Sequence, residues 1–494
     1  MREALFDVIV IGAGPTGENV ADRAVKGGLT AAIVESRLVG GECSYYACIP
    51  SKALLRSSAA LEAARRVNGA KQAITGPLDA SAVLARRTWF TDSWNDASQA
   101  EWLTSANVPL FRGRGRITAE RVVEVQGQAA SDGEKGDAEN VRLTARQAVV
   151  VCTGTSPMVP PIPGLAEAAP WTNREATRTD RIPLRLAVLG GGPVACELAQ
   201  AFRSLGTKEI TLLDHAPRLL EHFEPFVSER IAAEFRELGI SVHSSVNVAR
   251  VQRRSPGAPV QIWFNTGDAS SHANPACIEA DEILIATGRV PNTKDIGLET
   301  VSLKPGDWLD VDDTCRVKAV PSGWLYAAGD VNHRSLLTHM GKYQARVCGD
   351  TIAARARGEL KDPAQAWTKF AATADHCAVP QIVFTDPEAA SVGLTEARAK
   401  EAGRRVRAVE YDMGHISGTK LVADGYQGRA KMVVDEDRRV IAGATLVGQD
   451  AGELIHAFTV AVAGEVPLER LWHAVPCFPS MSEIWLRLLE SYGL

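Results

Sequence analysis

Two cysteines with four residues between them, Cys43 and Cys48, have the types and spacing most able to do chemistry in this chain. They lie in "GGECSYYACIPSK", residues 40–52. A tetrahedral zinc site needs two further ligands, and no other Cys or His lies nearby in sequence. The small loop between them suits a strained, reducible disulfide better than a deep structural one. A redox couple is therefore favoured, and ordinary packing of buried thiols stays open.

The composition narrows the class of protein around this pair. The 494 residues are 45% apolar and 23% charged, which is typical of a soluble globular chain with roughly three domains. The net charge of -5 and the lack of a long basic run argue against a nucleic-acid partner. The apolar start "FDVIVIGAG" is too short for a membrane span and lacks a signal-peptide layout. Nine scattered cysteines, an odd count, favour a reducing compartment, and we expect a cytoplasmic protein.

The elements that must position chemistry begin at the N-terminus. "DVIVIGAGPTGENVADRAVKGG" predicts a strand, a glycine-rich turn and a helix, with Gly12, Gly14 and Gly17 as the fingerprint. The three glycines allow a tight turn, close approach to a pyrophosphate, and packing of helix on strand. The next strand, "TAAIVE", ends in Glu35, which can accept a hydrogen bond from a ribose hydroxyl. This pattern predicts a dinucleotide site.

The same pattern returns in "LRLAVLGGGPVACELAQAFRSLGTKEITLLD". Gly190, Gly192 and Ala195 hold the small-residue positions, and Asp214 closes the second strand. Two such folds predict two nucleotides with electron transfer between them. Asp214 favours NADH because a carboxylate repels a 2′-phosphate, although Arg218 lies near enough in sequence to weaken that preference, so NADPH stays possible.

Shorter signatures follow these two units. Several strands end in a glycine with a polar or charged neighbour, and the glycine lets the backbone approach a cofactor closely. These predicted cofactor contacts are Thr153, Gly154, Gly288, Arg289, Gly329 and Asp330. The polar stretch 127–140 predicts an exposed hairpin or mobile loop. From about residue 355 the sequence is typical of an α+β domain without a glycine fingerprint.

Taken in order, these motifs resemble those of the class I pyridine nucleotide-disulfide oxidoreductases, also called flavoprotein disulfide reductases, from about residue 5 to 485. The resemblance implies FAD on the first fold, with Gly41 among its contacts, and NAD(P)H on the second. It also implies a homodimer built through the C-terminal domain. Cys43 becomes the outer interchange thiol and Cys48 the thiol against the flavin.

The resemblance also assigns a role to Lys52, which follows Cys48 by one helical turn. In the family this lysine contacts the flavin and pairs with a glutamate on the helix of the second fingerprint, and Glu197 occupies that place. A cation there would stabilise the anionic reduced flavin.

The sequence departs from the family at its C-terminus. The family usually has a "HPT-x-SE" motif whose histidine reaches the partner subunit's disulfide, and this chain has "PCFPSMSE". Glu483 is present, but Phe478 stands in the histidine's place and cannot carry a proton. His473 is a poor substitute, because satisfied or exposed histidines are commoner. Cys477 is expected to pack.

The redox loop departs as well. Glu42 replaces a usual threonine, and a carboxylate close to Cys43 would raise the pKa of that thiol. Tyr45 and Tyr46 replace small residues. They would either narrow the approach and offer a stacking surface or pack on the domain, and both alternatives stay open.

These observations predict an α/β fold of two Rossmann-like dinucleotide-binding domains plus an α+β C-terminal dimerisation domain. We expect the FAD-binding domain at 1–158 and 285–355, the NAD(P)-binding domain at 159–284 and the dimer-interface domain at 356–494.

The predicted function is an FAD-dependent NAD(P)H oxidoreductase with a Cys43–Cys48 disulfide. It would pass electrons to a small-molecule acceptor of the quinone type, as a quinone reductase or diaphorase does. The alternatives are a dihydrolipoamide dehydrogenase or other low-molecular-weight disulfide reductase and, in a different class, a flavin-bound thiol redox sensor. Mercuric reductases usually carry an extra C-terminal cysteine pair, which this sequence lacks. No metal is expected.

Overall fold

The computed structural model describes residues 1–127, 140–266, 275–360 and 362–494. Most of the predicted hairpin or loop at 127–140 lies outside the described residues. The chain divides into two compact units. The first is Met1–Ile49, Thr91–Ser156 and Arg289–His376, and the second is Pro50–Phe90, Pro157–Gly288 and Cys377–Leu494. The predicted three-domain boundaries stay a prediction.

The strands of the described residues are β1 (Arg2–Ile11), β2 (Ala31–Glu35), β3 (Leu110–Ala119), β4 (Val122–Gly127), β5 (Val141–Val151), β6 (Thr155–Pro157), β7 (Arg185–Leu189), β8 (Glu209–Leu213), β9 (Ile240–His243), β10 (Val246–Arg253), β11 (Val260–Thr266), β12 (Ala276–Ala280), β13 (Glu282–Ile285), β14 (Arg289–Pro291), β15 (Leu325–Ala327), β16 (Pro380–Val383), β17 (Glu388–Gly393), β18 (Val406–Asp412), β19 (Arg429–Asp435) and β20 (Val440–Gly448).

The α-helices of the same residues are α1 (Pro15–Lys26), α2 (Gly41–Tyr45), α3 (Cys48–Arg65), α4 (Ala80–Phe90), α5 (Ala97–Ser105), α6 (Asn173–Arg178), α7 (Pro193–Leu205), α8 (Pro225–Glu237), α9 (Thr338–Ala356), α10 (Glu396–Glu401), α11 (Ser417–Val422), α12 (Ala451–Ala463), α13 (Leu468–Leu471) and α14 (Glu483–Tyr492). Among the described residues, none of the helices combines the length and the apolar character that crossing a bilayer requires.

The first unit is built on a six-stranded sheet. β1 pairs in parallel with β2 and β5, and β5 pairs in parallel with β15. Residues 8–11 of β1 are buried whichever way they point, as in a parallel sheet covered on both faces. α1 packs closely against α9 at Gly349, where an added Cβ would lie 2.5 Å from the Cβ of Arg23.

The second unit contains a four-stranded parallel sheet in the order β13-β7-β8-β9 and an antiparallel sheet of β10, β11 and β12. Its C-terminal part holds a five-stranded antiparallel sheet in the order β16-β17-β20-β19-β18. β20 is buried along its whole length. The C-terminal part is therefore the predicted α+β arrangement.

The two glycine turns have the same backbone conformation at their first glycine. Gly12 has φ +102° and Gly190 has φ +113°, conformations that L side chains rarely adopt. Each turn leads into a helix with proline at its first position, Pro15 in α1 and Pro193 in α7, where the missing N–H costs nothing. The predicted mixed α/β fold with two Rossmann-like units is confirmed.

Candidate active site

The first glycine turn forms a narrow cradle in the first unit. A Cβ added at Gly17 would lie 1.9 Å from the carbonyl oxygen of Gly12, so α1 fits only against glycine there. A Cβ added at Gly41 would lie 2.9 Å from the Cα of Gly14. The backbones of the turn and of α2 therefore approach as closely as they can. Such a cradle at a helix N-terminus fits a pyrophosphate.

Glu35 lies at the end of β2 beside this cradle. Its Oε2 accepts a hydrogen bond from the Ala13 amide at 2.7 Å, and its Oε1 accepts one from the Arg37 amide at 2.7 Å. Burial raises the pKa of Glu35. A carboxylate has further acceptor sites, so the predicted bond to a ribose hydroxyl stays a prediction.

A polar network connects the other predicted contacts of the first unit. Asp330 Oδ2 accepts from Thr155 Oγ1 at 2.8 Å, and Arg289 donates to the Thr155 carbonyl oxygen at 2.8 Å. Arg289 lies 3.8 Å from Glu42, so the carboxylate that the sequence places beside Cys43 is also near a guanidinium. Burial raises the pKa of Asp330.

Amide side chains that no sequence motif indicated hold the backbone around these residues. Asn292 donates to the Thr153 carbonyl oxygen at 2.9 Å. Gln344, on α9, accepts from the Gly329 amide at 2.8 Å. Gly154 has φ +65° with open space where a Cβ would lie. In the second unit, the carbonyl oxygen of Gly288, which has φ +137°, accepts from the Met158 amide at 2.9 Å.

The two cysteines come together beside the start of α9. Cys43 lies on α2 and Cys48 begins α3, and neither forms a disulfide bond in this structure. The Sγ of Cys48 lies 3.3 Å from Thr338 Oγ1. The hydrogen bond with Cys48, and then burial, raise the pKa of the Cys43 thiol, whereas Thr338 and the charge of Lys342 lower it. Thr338 and Lys342 were also missed, since nothing local connects α9 with the cysteines.

The tyrosines of the redox loop separate into two environments. Tyr45 is 2% exposed, and its hydroxyl donates to the Asn95 carbonyl oxygen at 3.3 Å and accepts from Gln99 at 3.1 Å. Of the two alternatives, packing on the domain describes Tyr45. Tyr46 is half-buried.

Lys52 and Glu197 form an ion pair in the second unit. Lys52 Nζ donates to Glu197 Oε2 at 2.6 Å, and the Phe384 amide donates to Glu197 Oε1 at 3.0 Å. The ammonium group also lies 4.8 Å from the centroid of the Phe384 ring. Both oxygens of this buried carboxylate therefore have partners, which fixes the direction of the Lys52 side chain.

The second nucleotide site contains a buried acid and an arginine that is already engaged. Asp214 Oδ1 accepts from the Ala216 amide at 3.2 Å, and burial raises the pKa of Asp214. Arg218 donates to Ser228 Oγ at 2.6 Å and to main-chain carbonyl oxygens of Leu220, Glu221 and Phe223. Gly190 and Ala195 are tightly packed, and nothing among the described residues lies within 4 Å of a Cβ added at Gly192.

The C-terminal residues that differ from the family motif lie on the surface of the second unit. Phe478 is 74% exposed, and His473 and Cys477 are exposed too. Glu483 begins α14 and is buried. Its Oε1 accepts from Arg487 at 3.3 Å, and its Oε2 has no hydrogen-bond partner among the described residues.

Comparison with known families covers nearly the whole chain. A family model for pyridine nucleotide-disulphide oxidoreductases matches residues 6–346, and the model for the dimerisation domain of the same proteins matches residues 379–488. The chain belongs to the pyridine nucleotide-disulphide oxidoreductases. The match to the dimerisation domain supports a homodimer.

Named relatives of this oxidoreductase have several activities. The chain is 29% identical to a mercuric reductase of Staphylococcus aureus, over 98% of this chain and 81% of that protein. It is 30% identical to a dihydrolipoyl dehydrogenase of Synechocystis, over 97% of both chains. A structure of the Cu(II) complex of the HOCl-induced flavoprotein disulfide reductase RclA from Escherichia coli has a TM-score of 0.78 over 99% of both chains. At 22% identity this likeness shows the fold alone.

The family uses FAD with NAD(P)H as electron donor, and the residues of this chain fit both groups. The cradle has no room for side chains at Gly12 and Gly41 and suits the FAD pyrophosphate, while the turn at Gly190 and Gly192 suits the nicotinamide nucleotide. When bound, FAD would act as the two-electron carrier between NAD(P)H and a thiol pair. The roles of individual residues stay predictions.

The Lys52–Glu197 pair generates a first prediction. The variant Glu197→Gln keeps an oxygen for the Phe384 amide but loses the charge that orients Lys52. We expect reduction of the bound flavin by NADH to slow by about tenfold to a hundredfold, since misplacement of an orienting group has costs of that order. Stopped-flow bleaching of the oxidised-flavin absorbance measures this rate.

The matched control is Glu234→Gln, which removes a carboxylate paired with Arg230 at 3.1 Å on α8. Its flavin-reduction rate should equal that of the wild type. An equal loss in both variants would contradict a specific role for Glu197.

Proposed function

We propose that this oxidoreductase takes electrons from NADH through FAD to the Cys43–Cys48 pair, and that its acceptor is a quinone-type molecule. The observation that carries the choice of acceptor is Phe478, an exposed apolar side chain where the family's proton-carrying histidine would lie.

Interchange between the outer thiol and a small disulfide needs a group that holds the proton of the leaving thiol. Such a base contributes about 10²- to 10⁴-fold to the rate of proton-coupled steps. The hydrogen bond with Cys48, and then burial, raise the pKa of the Cys43 thiol, so little Cys43 thiolate forms without a base. A quinone can take electrons from the reduced flavin without that interchange. The replacement of the histidine by Phe478 then does not slow the reduction of the quinone.

A low-molecular-weight disulfide, as for the dihydrolipoyl dehydrogenases, is the second candidate. Glu483 Oε2 is buried and has no hydrogen-bond partner among the described residues, so a water there could carry the proton. The names of two relatives also justify testing Hg(II) and Cu(II). A thiol redox sensor would accept electrons from NADH and turn over none of these acceptors.

The nucleotide site generates a second prediction. Asp214 Oδ1 accepts from the Ala216 amide, and we expect its Oδ2 to accept from ribose hydroxyls, whereas the Arg218 guanidinium is occupied by Ser228 and main-chain carbonyl oxygens. We expect kcat/KM to be higher for NADH than for NADPH, by a factor that corresponds to about 1–3 kcal/mol of transition-state binding. Asp214→Asn should reduce this ratio, and Arg218→Met, the control, should leave it unchanged. A wild-type preference for NADPH would contradict the assignment.

The acceptor generates a third prediction. With NADH as donor, quinones should be reduced at least about a hundredfold faster than lipoamide or glutathione disulfide, in keeping with the missing base. Steady-state NADH oxidation with each acceptor, Hg(II) and Cu(II) included, measures this.

Two variants sharpen the comparison of acceptors. Phe478→His should raise lipoamide turnover and leave quinone turnover unchanged, and Phe478→Leu is the matched control without a proton carrier. Wild-type lipoamide turnover comparable to quinone turnover would overturn the proposal and point to Glu483.

A further inference from the structure

The main chain of residues 384–386 holds the carboxylate that orients Lys52. The Phe384 amide donates to Glu197 Oε1 at 3.0 Å, and Lys52 Nζ donates to Glu197 Oε2 at 2.6 Å. Glu197 is buried, and its carboxylate cannot turn while both bonds are kept. Whatever fixes residues 384–386 therefore also fixes the direction of the Lys52 side chain.

Gln200 fixes this stretch from the next turn of α7. Its Oε1 accepts from the Asp386 amide at 2.7 Å, and its Nε2 donates to the Asp386 carbonyl oxygen at 2.9 Å. Gln200 is buried, so water competes little for these two bonds. It follows Glu197 by three residues, which puts both side chains on one face of the helix. α7 therefore holds residues 384–386 at two points, one helical turn apart.

Arg66 holds the same stretch from the side of α3. Its amide donates to the Glu62 carbonyl oxygen at 3.2 Å, so Arg66 continues the helix that carries Lys52. Its two terminal nitrogens donate to the two carboxylate oxygens of Asp386 at 2.8 Å each. A bidentate pair of this kind has a defined geometry. The helix of Lys52 and the stretch that holds Glu197 are therefore anchored to each other.

The two helices themselves are held together without Gln200. The Oγ atoms of Ser58 on α3 and Ser204 on α7 lie 2.8 Å apart. Leu54 of α3 and Ala201 of α7 belong to one buried apolar cluster. Loss of the Gln200 amide should therefore leave α3 and α7 in place and free chiefly the main chain of residues 384–386.

We propose that Gln200 is a positioning residue for Lys52. It acts through the main chain of residues 384–386, which holds the Glu197 carboxylate. This inference rests on the proposed function, with Lys52 beside the flavin as the family resemblance implies. Without the two bonds of Gln200 the stretch can shift and the carboxylate can turn, so the Lys52 ammonium group takes several directions. Its charge then stabilises the reduced flavin less.

The test uses the FAD-loaded homodimer and the variant Gln200→Met, which keeps the approximate size of the side chain and removes both hydrogen bonds. Stopped-flow bleaching at varied NADH concentration gives the limiting rate of flavin reduction and the Kd of NADH. We expect this rate to fall about threefold to tenfold with an unchanged Kd, a smaller loss than in Glu197→Gln because the carboxylate charge remains.

The reduction potential of the bound flavin is the second readout, and it does not depend on turnover. It is measured by equilibration with a reference dye in the Cys48→Ser background, where no disulfide competes for electrons. Gln200→Met should lower the equilibrium constant for two-electron reduction about threefold to tenfold, which is about 15 to 30 mV. The direction follows because a displaced Lys52 charge stabilises the anionic reduced flavin less.

A double variant and a matched control separate positioning from a general loss of stability. In the Glu197→Gln background, Gln200→Met should change the rate and the equilibrium constant by less than about twofold, because Gln200 acts through that carboxylate. Asp281→Asn removes a carboxylate that accepts two bonds from the Arg185 side chain, at 3.1 and 2.7 Å, elsewhere in the second unit. It should leave the rate and the potential of the wild type unchanged, even where it lowers the Tm.

Equal effects of Gln200→Met in the wild-type and Glu197→Gln backgrounds would overturn the proposal, as would a lower Tm with an unchanged rate and potential. If Gln200→Met does not fold, Arg66→Met frees the same stretch at its half-buried second anchor. We then expect the rate and the equilibrium constant to fall about twofold to fivefold, and unchanged values contradict the proposal. If NADH does not reduce the wild-type flavin, the proposed function fails instead, and the measured potentials still decide the role of Gln200.

Discussion

Close backbone approach at glycine is the constraint on which the redox site of this oxidoreductase depends. Gly14 and Gly41 nearly touch, and Thr16 leaves no room for a Cβ at Gly341. These approaches bring the first turns of α1, α2 and α9 together. The cysteine pair, Thr338 and the charge of Lys342 consequently lie at one junction, where the positive ends of α1 and α9 also favour anions. A larger residue at Gly41 or Gly341 would push these helix ends apart.

The fold and much of the cofactor cradle could be predicted because their signals are local. A strand, a glycine turn and a helix, followed by a strand that ends in an acid, predict a nucleotide site from neighbouring residues alone, at Gly12 and again at Gly190. The Lys52–Glu197 pair joins residues far apart in sequence, and only the family resemblance indicated it. Thr338 and Phe384 were missed because their positions in the site come from tertiary packing. The same packing decided between the two alternatives for Tyr45.

We expect electron transfer and proton transfer to depend on different residues of this chain. The proposed electron path needs FAD, the nicotinamide nucleotide and the cysteines, and the two glycine turns and the Cys43–Cys48 pair are the residues that we expect to serve it. The family resemblance predicts a histidine at the end of the proton path, and this chain has Phe478 there, while the Oε2 of the buried Glu483 has no hydrogen-bond partner among the described residues. We propose that this separation selects acceptors that need no thiol interchange.

The most direct test of this account is an anaerobic titration of the purified protein with NADH or dithionite that counts electrons and thiols per flavin. The account predicts about four electrons per FAD, two of them held by a pair of new thiols on Cys43 and Cys48. It also predicts that a long-wavelength thiolate-to-flavin absorbance appears on two-electron reduction and is lost in Cys48→Ser. Uptake of only two electrons per flavin, with no thiols released, would contradict it.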